Sequence, residues 1–177
     1  MAIGRCFQEA FLKARASLEY GHPHRRPLTM ADASGGESMD ERAFEPLPEA
    51  LLEDWLRVPT DRRMGALVEA VRRGYSVEDV RDMSGGITRW FLHRFESMAA
   101  IETEIRAAGE IGLPPAEVPE AGMRLWKGAG FTDLHIADAL AGFPASGWKQ
   151  LPEGADECAV TASRHQLGIH PVFRMVD

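Results

Sequence analysis

Residues 87–108 read ITRWFLHRFESMAAIETEIRAA, and this stretch decides the fold class. Ile87, Phe91, Phe95, Met98, Ile101 and Ile105 recur at three- and four-residue spacing. That period predicts one long amphipathic helix, with an apolar stripe turned to a core and Trp90 beside it. Trp90, Phe91 and Leu92 are consecutive. Neighbouring helical residues lie about 100° apart, so the three cover about 200° of arc, more than one buried face takes up. Trp90, Phe91 and Leu92 are therefore the candidate interface. Leu92, off the centre of the stripe, is expected to reach a second subunit; an ordinary core helix is the alternative.

Shorter helices flank this one. Leu47, Leu51, Leu52 and Trp55 predict a helix that ends before Pro59. Thr60 is the expected N-cap of a helix to Arg73, with Met64, Leu67, Val68 and Val71 on one face and Gly74 as its stop. Ser76 and Asp79 have capping-box spacing and open a short helix to Met83, closed by Gly85 and Gly86. After Pro114, Pro115 and Pro119, Met123 and Trp126 lie on a helix up to about Ala129, and Phe131–Thr132 opens another carrying Leu134, Ile136, Ala137 and Leu140. A last helix is expected over about 156–167, and 171–176 looks like one marginal strand with no partner. At the other end, Phe7, Ala10, Phe11, Ala14 and Leu18 predict a helix over 6–20. Residues 22–46 and 142–154 lose all periodicity between Pro and Gly, and 22–46 reads as a mobile linker.

Gly74-Tyr75-Ser76 followed by Val80 resembles Gly130-Phe131-Thr132 followed by Ile136. In each, a helix stops at glycine, an aromatic packs back and a hydroxyl caps the next helix. The expected fold is all-α, a small irregular bundle of short helices around the longer one, with the marginal C-terminal strand.

Composition agrees. Ala, Leu, Glu and Arg, all strong helix formers, number 24, 15, 17 and 17 among 177 residues. Leu, Ile, Val and Phe together stand just above the ~20% level below which chains tend to stay disordered, so the core is thin. A net charge of −7 argues against nucleic-acid binding by bulk charge. Cys6 and Cys158 are too few for a disulfide framework or a cysteine-based zinc site and fit a reduced, cytoplasmic setting. No run approaches the ~18–20 apolar residues of a membrane span, and Met1–Arg5 does not lead into the apolar segment of a signal peptide.

No residue set carries catalysis. His22 and His24 have no third metal ligand nearby, and His93, His135, His165 and His170 are scattered. Gly35-Gly36 and Gly85-Gly86 lack the strand–loop–helix context that cradles phosphate. Asp32, Asp40, Glu41 and Glu45 read as solvated charges. The helix-turn-helix look of 130–137 leaves a DNA-binding or regulatory protein as the alternative function, although Asp133 and Asp138 on the candidate recognition helix would repel phosphate.

The two ends carry a resemblance. Met1–Ala10, with Lys13-Ala14 and Ser17-Leu18-Glu19, is similar to the end of the first ATP-grasp unit of the carbamoyl-phosphate synthase large subunit. Gly168–Asp177 resembles the segment that opens its second synthetase half. Between them, Asp61-Arg62-Arg63, Arg72–Asp79, Arg89–Leu92 and Gly130–Asp133 with Ile136-Ala137 resemble the family's helical middle, in family order. Cys6 stands where the family usually has threonine.

The resemblance implies an oligomerisation domain at 47–168, preceded by a tail of the carboxyphosphate unit at 1–21 and the linker at 22–46, and followed by the start of the carbamoyl-phosphate unit at 169–177. It implies a parent that makes carbamoyl phosphate from bicarbonate, glutamine-derived ammonia and ATP, with Mg or Mn, for arginine and pyrimidine biosynthesis. The implied partners are a second copy, the flanking ATP-grasp halves and a glutaminase small subunit, with no nucleic acid and no membrane. No catalytic, metal or nucleotide residue of the family has a match here, so the chain alone is expected to be non-catalytic and free of cofactors.

Overall fold

The computed structural model describes residues 2–17, 48–60, 62–141 and 157–172. Among them lie eight α-helices: α1 (Phe7–Ala16), α2 (Glu49–Arg57), α3 (Arg63–Arg72), α4 (Val77–Met83), α5 (Arg89–Glu110), α6 (Glu120–Gly128), α7 (Asp133–Leu140) and α8 (Glu157–Gln166). A 3-10 turn over Pro115–Glu117 joins α5 to α6. The linker over 22–46 falls outside the described residues, as do His22, His24 and the acidic residues assigned to that segment. No strand occurs among the described residues; Pro171 and Val172 are irregular, and the rest of the expected strand lies outside them.

The long helix is the centre of the bundle. One side of α5 packs on α3 and α4, another on α7, and α1 crosses its N-terminal half; α2 then packs on α3, and α8 on α7 and the 3-10 turn. Leu92, Phe95, Met98, Ala99 and Ile105 are buried along α5, and around them sit Leu52, Leu56, Leu67, Val80, Met123, Phe131 and Ile136, all at or near zero exposure. At about 100° per residue the buried positions of α5, Leu92 to Ile105, fill an arc of roughly 140°.

The two helix-stop motifs fold alike. Gly74 and Gly130 adopt φ of 86° and 96°, a region open to glycine. In each, the next residue's N–H reaches five residues back, Tyr75 to the Ala70 carbonyl at 3.1 Å and Phe131 to the Trp126 carbonyl at 3.2 Å. The following hydroxyl then caps a helix: Ser76 accepts from the Asp79 N–H, with the reciprocal Asp79 bond present, and Thr132 accepts from the His135 N–H. These closed turns bring Val80 and Ile136 into the core.

Two local expectations change. Thr60 does not cap α3; its carbonyl accepts from Arg63 in a turn, and Arg62 occupies the cap position without a side-chain bond. The long helix starts at Arg89 and not Ile87, with Thr88 before it. Cys6 does cap α1, its Sγ accepting from the Glu9 N–H at 3.5 Å, the role a threonine hydroxyl plays at such a position.

Candidate functional site

The N-terminal turn of α5 meets α1 in a cluster of aromatic rings. Phe7 lies 5.7 Å from both Trp90 and Phe91 and 5.5 Å from Phe95, edge to face, and 5.8 Å from Phe11 in a stack. Phe11 also meets Phe95 at 5.3 Å. These separations are those at which aromatic pairs attract beyond plain burial. Phe95 ends the cluster inside the core, whereas Trp90 is 50% and Phe91 44% exposed. The Arg94 guanidinium lies over the Trp90 ring, 5.1 Å being matched elsewhere by Arg62 over Trp55 and 5.2 Å found here.

Leu92 corrects the expectation placed on it. It has no exposure and belongs to the core. The buried arc extends from Ile105 to Leu92, so Leu92 lies at its edge and is still covered, while Phe91 lies within the arc and is half exposed in the first turn of the helix. Phe91 is angled toward α1, which covers it only in part. Of the three candidate interface residues, Trp90 and Phe91 are therefore at the surface and Leu92 is not. Phe7 and Phe11, which complete the cluster, come from eighty residues away in round terms, beyond the reach of local periodicity.

Two ionic centres hold the helices beneath. Glu102 is 1% exposed on α5. Arg72 of α3 donates to both its oxygens at 3.1 Å, and Arg106 donates to Oε1 at 2.8 Å. His135 of α7 stands 3.9 Å away, too far for a hydrogen bond. Burial alone would raise the Glu102 pKa, but His135 and the Arg72 and Arg106 charges hold it far below the usual carboxylate range. One carboxylate thus ties α3 to α5 and faces His135 of α7. A second, Asp133 at the start of α7, receives Lys127 at 2.7 Å, Arg164 at 3.0 Å and the Thr161 hydroxyl at 2.9 Å, which ties α8 and the end of α6 to α7. Burial opposes ionisation of Asp133 too, and these donors lower its pKa. A charged residue inside the apolar run Met98–Ile105 was the sequence signal for Glu102; nothing local marked Asp133.

No three His, Cys, Asp or Glu side chains among the described residues come together to hold a metal ion. The Gly85 and Gly86 N–H groups are bonded to the Asp82 and Arg81 carbonyls, so they are not turned to a phosphate. The candidate DNA-reading helix α7 lies between α5 and α8 with Asp133, Ile136, Ala137, Ala139 and Leu140 buried, so it is not presented to a groove.

The described residues form a helical bundle cross-braced by internal ion pairs, with Trp90 and Phe91 partly exposed beside α1. The chain belongs to the family of the carbamoyl-phosphate synthetase large chain oligomerisation domain, whose model matches residues 1–167. Over its whole length it is 32% identical to the carbamoyl phosphate synthase large chain of Myxococcus xanthus and 33% identical to that of Brucella melitensis. It is 31% identical to the mitochondrial arginine-specific large chain of Schizosaccharomyces pombe. The chain covers 14%, 13% and 12% of those relatives.

Proposed function

We propose that the chain is the oligomerisation and connecting module of a carbamoyl-phosphate synthase large chain and performs no catalytic step itself. The match of the family model along residues 1–167 carries this reading. On it, the parent makes carbamoyl phosphate from bicarbonate, glutamine-derived ammonia and ATP with Mg or Mn, feeding arginine and pyrimidine biosynthesis in the cytoplasm. The flanking ATP-grasp halves and a glutaminase small subunit are its partners there. The name of the Schizosaccharomyces pombe relative supports the arginine branch.

The module's own contribution is association, and Trp90 and Phe91 are its exposed hydrophobic anchors. Exposed tryptophan beside arginine is the composition that dominates binding at protein interfaces. Sedimentation velocity over a wide concentration range tests the reading. A dimer that grows with concentration is expected; a strict monomer throughout removes the association claim. Calorimetry with Mg-ATP tests the non-catalytic part, and saturable binding at micromolar ATP would overturn it.

A further inference from the structure

His165 and His170 are separated in sequence, and the end of α8 brings them together. Gly168 adopts φ of 65° and stops the helix. Its N–H bonds to the His165 carbonyl at 3.0 Å, and the Ile169 N–H reaches back to the Arg164 carbonyl at 2.9 Å. The chain therefore folds back on the last turn of α8, where the His170 ring lies beside that of His165. The ring centres are 5.0 Å apart, with planes tilted by 36°. Both side chains are exposed.

The return is held from several sides. Arg164 donates to the Ile169 carbonyl at 2.8 Å and pairs with Asp133 at 3.0 Å. Ile169 is buried, and the Ser163 hydroxyl fixes α8 to the Pro115 carbonyl. Pro171 restricts the backbone of His170 to extended conformations. The two imidazoles are thus placed in advance, which lowers the ordering cost of any ligand that both hold.

Two imidazoles at this separation suit one metal ion. At a metal–nitrogen distance of about 2.0–2.1 Å the ion lies about 3.2 Å from each ring centre, and a tetrahedral angle then sets the centres about 5.2 Å apart. The terminal torsion of an exposed histidine is broad and two-fold, so either ring nitrogen can turn to the ion. The helix C-terminus carries partial negative charge, which favours a cation beside His165. The Arg164 guanidinium is neutralised by Asp133 and does not oppose one.

We propose that His165 and His170 form a two-histidine site for a divalent transition ion of the zinc class, with water in the remaining coordination positions. Imidazole suits Zn, Ni and Cu, whereas Mg prefers oxygen ligands. Two protein ligands are fewer than zinc has in catalytic or structural sites, so the ion binds weakly and exchanges. Bound, it staples the last turn of α8 to the segment beyond Gly168. The site is independent of the proposed association role and of the Mg or Mn of the parent reaction.

The test is a calorimetric titration of the full chain with zinc chloride at neutral pH, with amide exchange to locate the ion. Zinc should bind, and it should slow exchange at the Gly168 and Ile169 N–H groups that close the turn. His165→Ala and His170→Ala should each weaken binding by about tenfold or more, because each leaves a single ligand. Both side chains are exposed, so the circular-dichroism spectrum should not change. Magnesium chloride should not reproduce the effect. No zinc binding up to millimolar concentration would overturn the proposal. So would binding that both variants retain at wild-type strength, or slowed exchange at Gly168 and Ile169 that magnesium produces equally.

Discussion

Replacing Glu102 by alanine would leave the Arg72 and Arg106 guanidinium groups facing a gap with no counter-charge. Removing one partner of a buried ion pair typically costs about 3–5 kcal/mol, because the remaining charge stays desolvated. Here the two arginine side chains keep 18% and 19% exposure, so water reaches them and the lower end, about 3 kcal/mol, is expected. For a chain of this size that corresponds to a fall in Tm of about 6–12 °C. Glu102→Gln keeps the shape and one acceptor and should lose less. Acid should mimic the substitution. The folded pKa of Glu102 lies below its ordinary value of 4.5. Its stabilisation is therefore complete above that value and declines as pH falls toward the folded one. Urea titrations at pH 7 and at pH 3 read both effects, and the difference between wild type and Glu102→Ala should shrink at pH 3. A loss below about 1 kcal/mol at pH 7 with a native spectrum would refute the idea that this carboxylate braces α3 against α5.

Three further outcomes follow from single positions. Asp133→Ala should cost about 1–3 kcal/mol and selectively raise amide exchange in α8, since Arg164 and Thr161 lose their anchor on α7; uniform exchange changes would contradict this. Gly109→Ala should destabilise despite its gain in helix propensity of about 1 kcal/mol, because a Cβ there runs into the Leu140 carbonyl of α7; a raised Tm would show that the helices separate easily. Leu92→Asp should unfold the chain, placing a carboxylate in a site with no exposure, whereas Ile111→Glu should not, and spectra of the two side by side check the contrast.

The elements that depend on neighbouring residues were readable in the sequence. Gly74 with Ser76 and Gly130 with Thr132 each specify a stop and a cap within a few positions, and both turns formed as their chemistry requires. The long helix was equally plain. Its orientation was not, because two members of its buried arc are Ala99 and Glu102, which a search for large apolar side chains passes over. What turns that arc inward is Arg72, thirty positions earlier, and the apolar faces of α3 and α7. The arc reaches far enough round to cover Leu92, and Phe91, though inside it, stays half exposed in the first turn. The aromatic cluster escaped for the same reason: Phe7 and Phe11 read as the stripe of a short helix, and only packing shows that they complete a surface with Trp90 and Phe91.

A connecting module has to transmit position as well as hold together, and the attachments of α1 and α8 bear on that role. α1 is fixed to α5 through Phe7 and Phe11, and its Glu9 backbone presses against Gly130, where an added Cβ would lie 2.6 Å from the Glu9 Cα. Glu9 is itself held by Arg5 and Lys13. Burial would raise its pKa, but the Arg5 N–H and those two side chains lower it to about 2. α8 is fixed to the same layer through Asp133, and through the Ser163 hydroxyl that donates to the Pro115 carbonyl at 2.6 Å. The first and last described helices thus meet on α5, α7 and the turn before α7, although more than a hundred residues separate them in sequence. A displacement of α1 would act directly on α5, which carries Trp90, and one of α8 would reach α5 through α7. The proposed connecting and associating roles therefore converge on α5, which Glu102 pairs to α3 through Arg72.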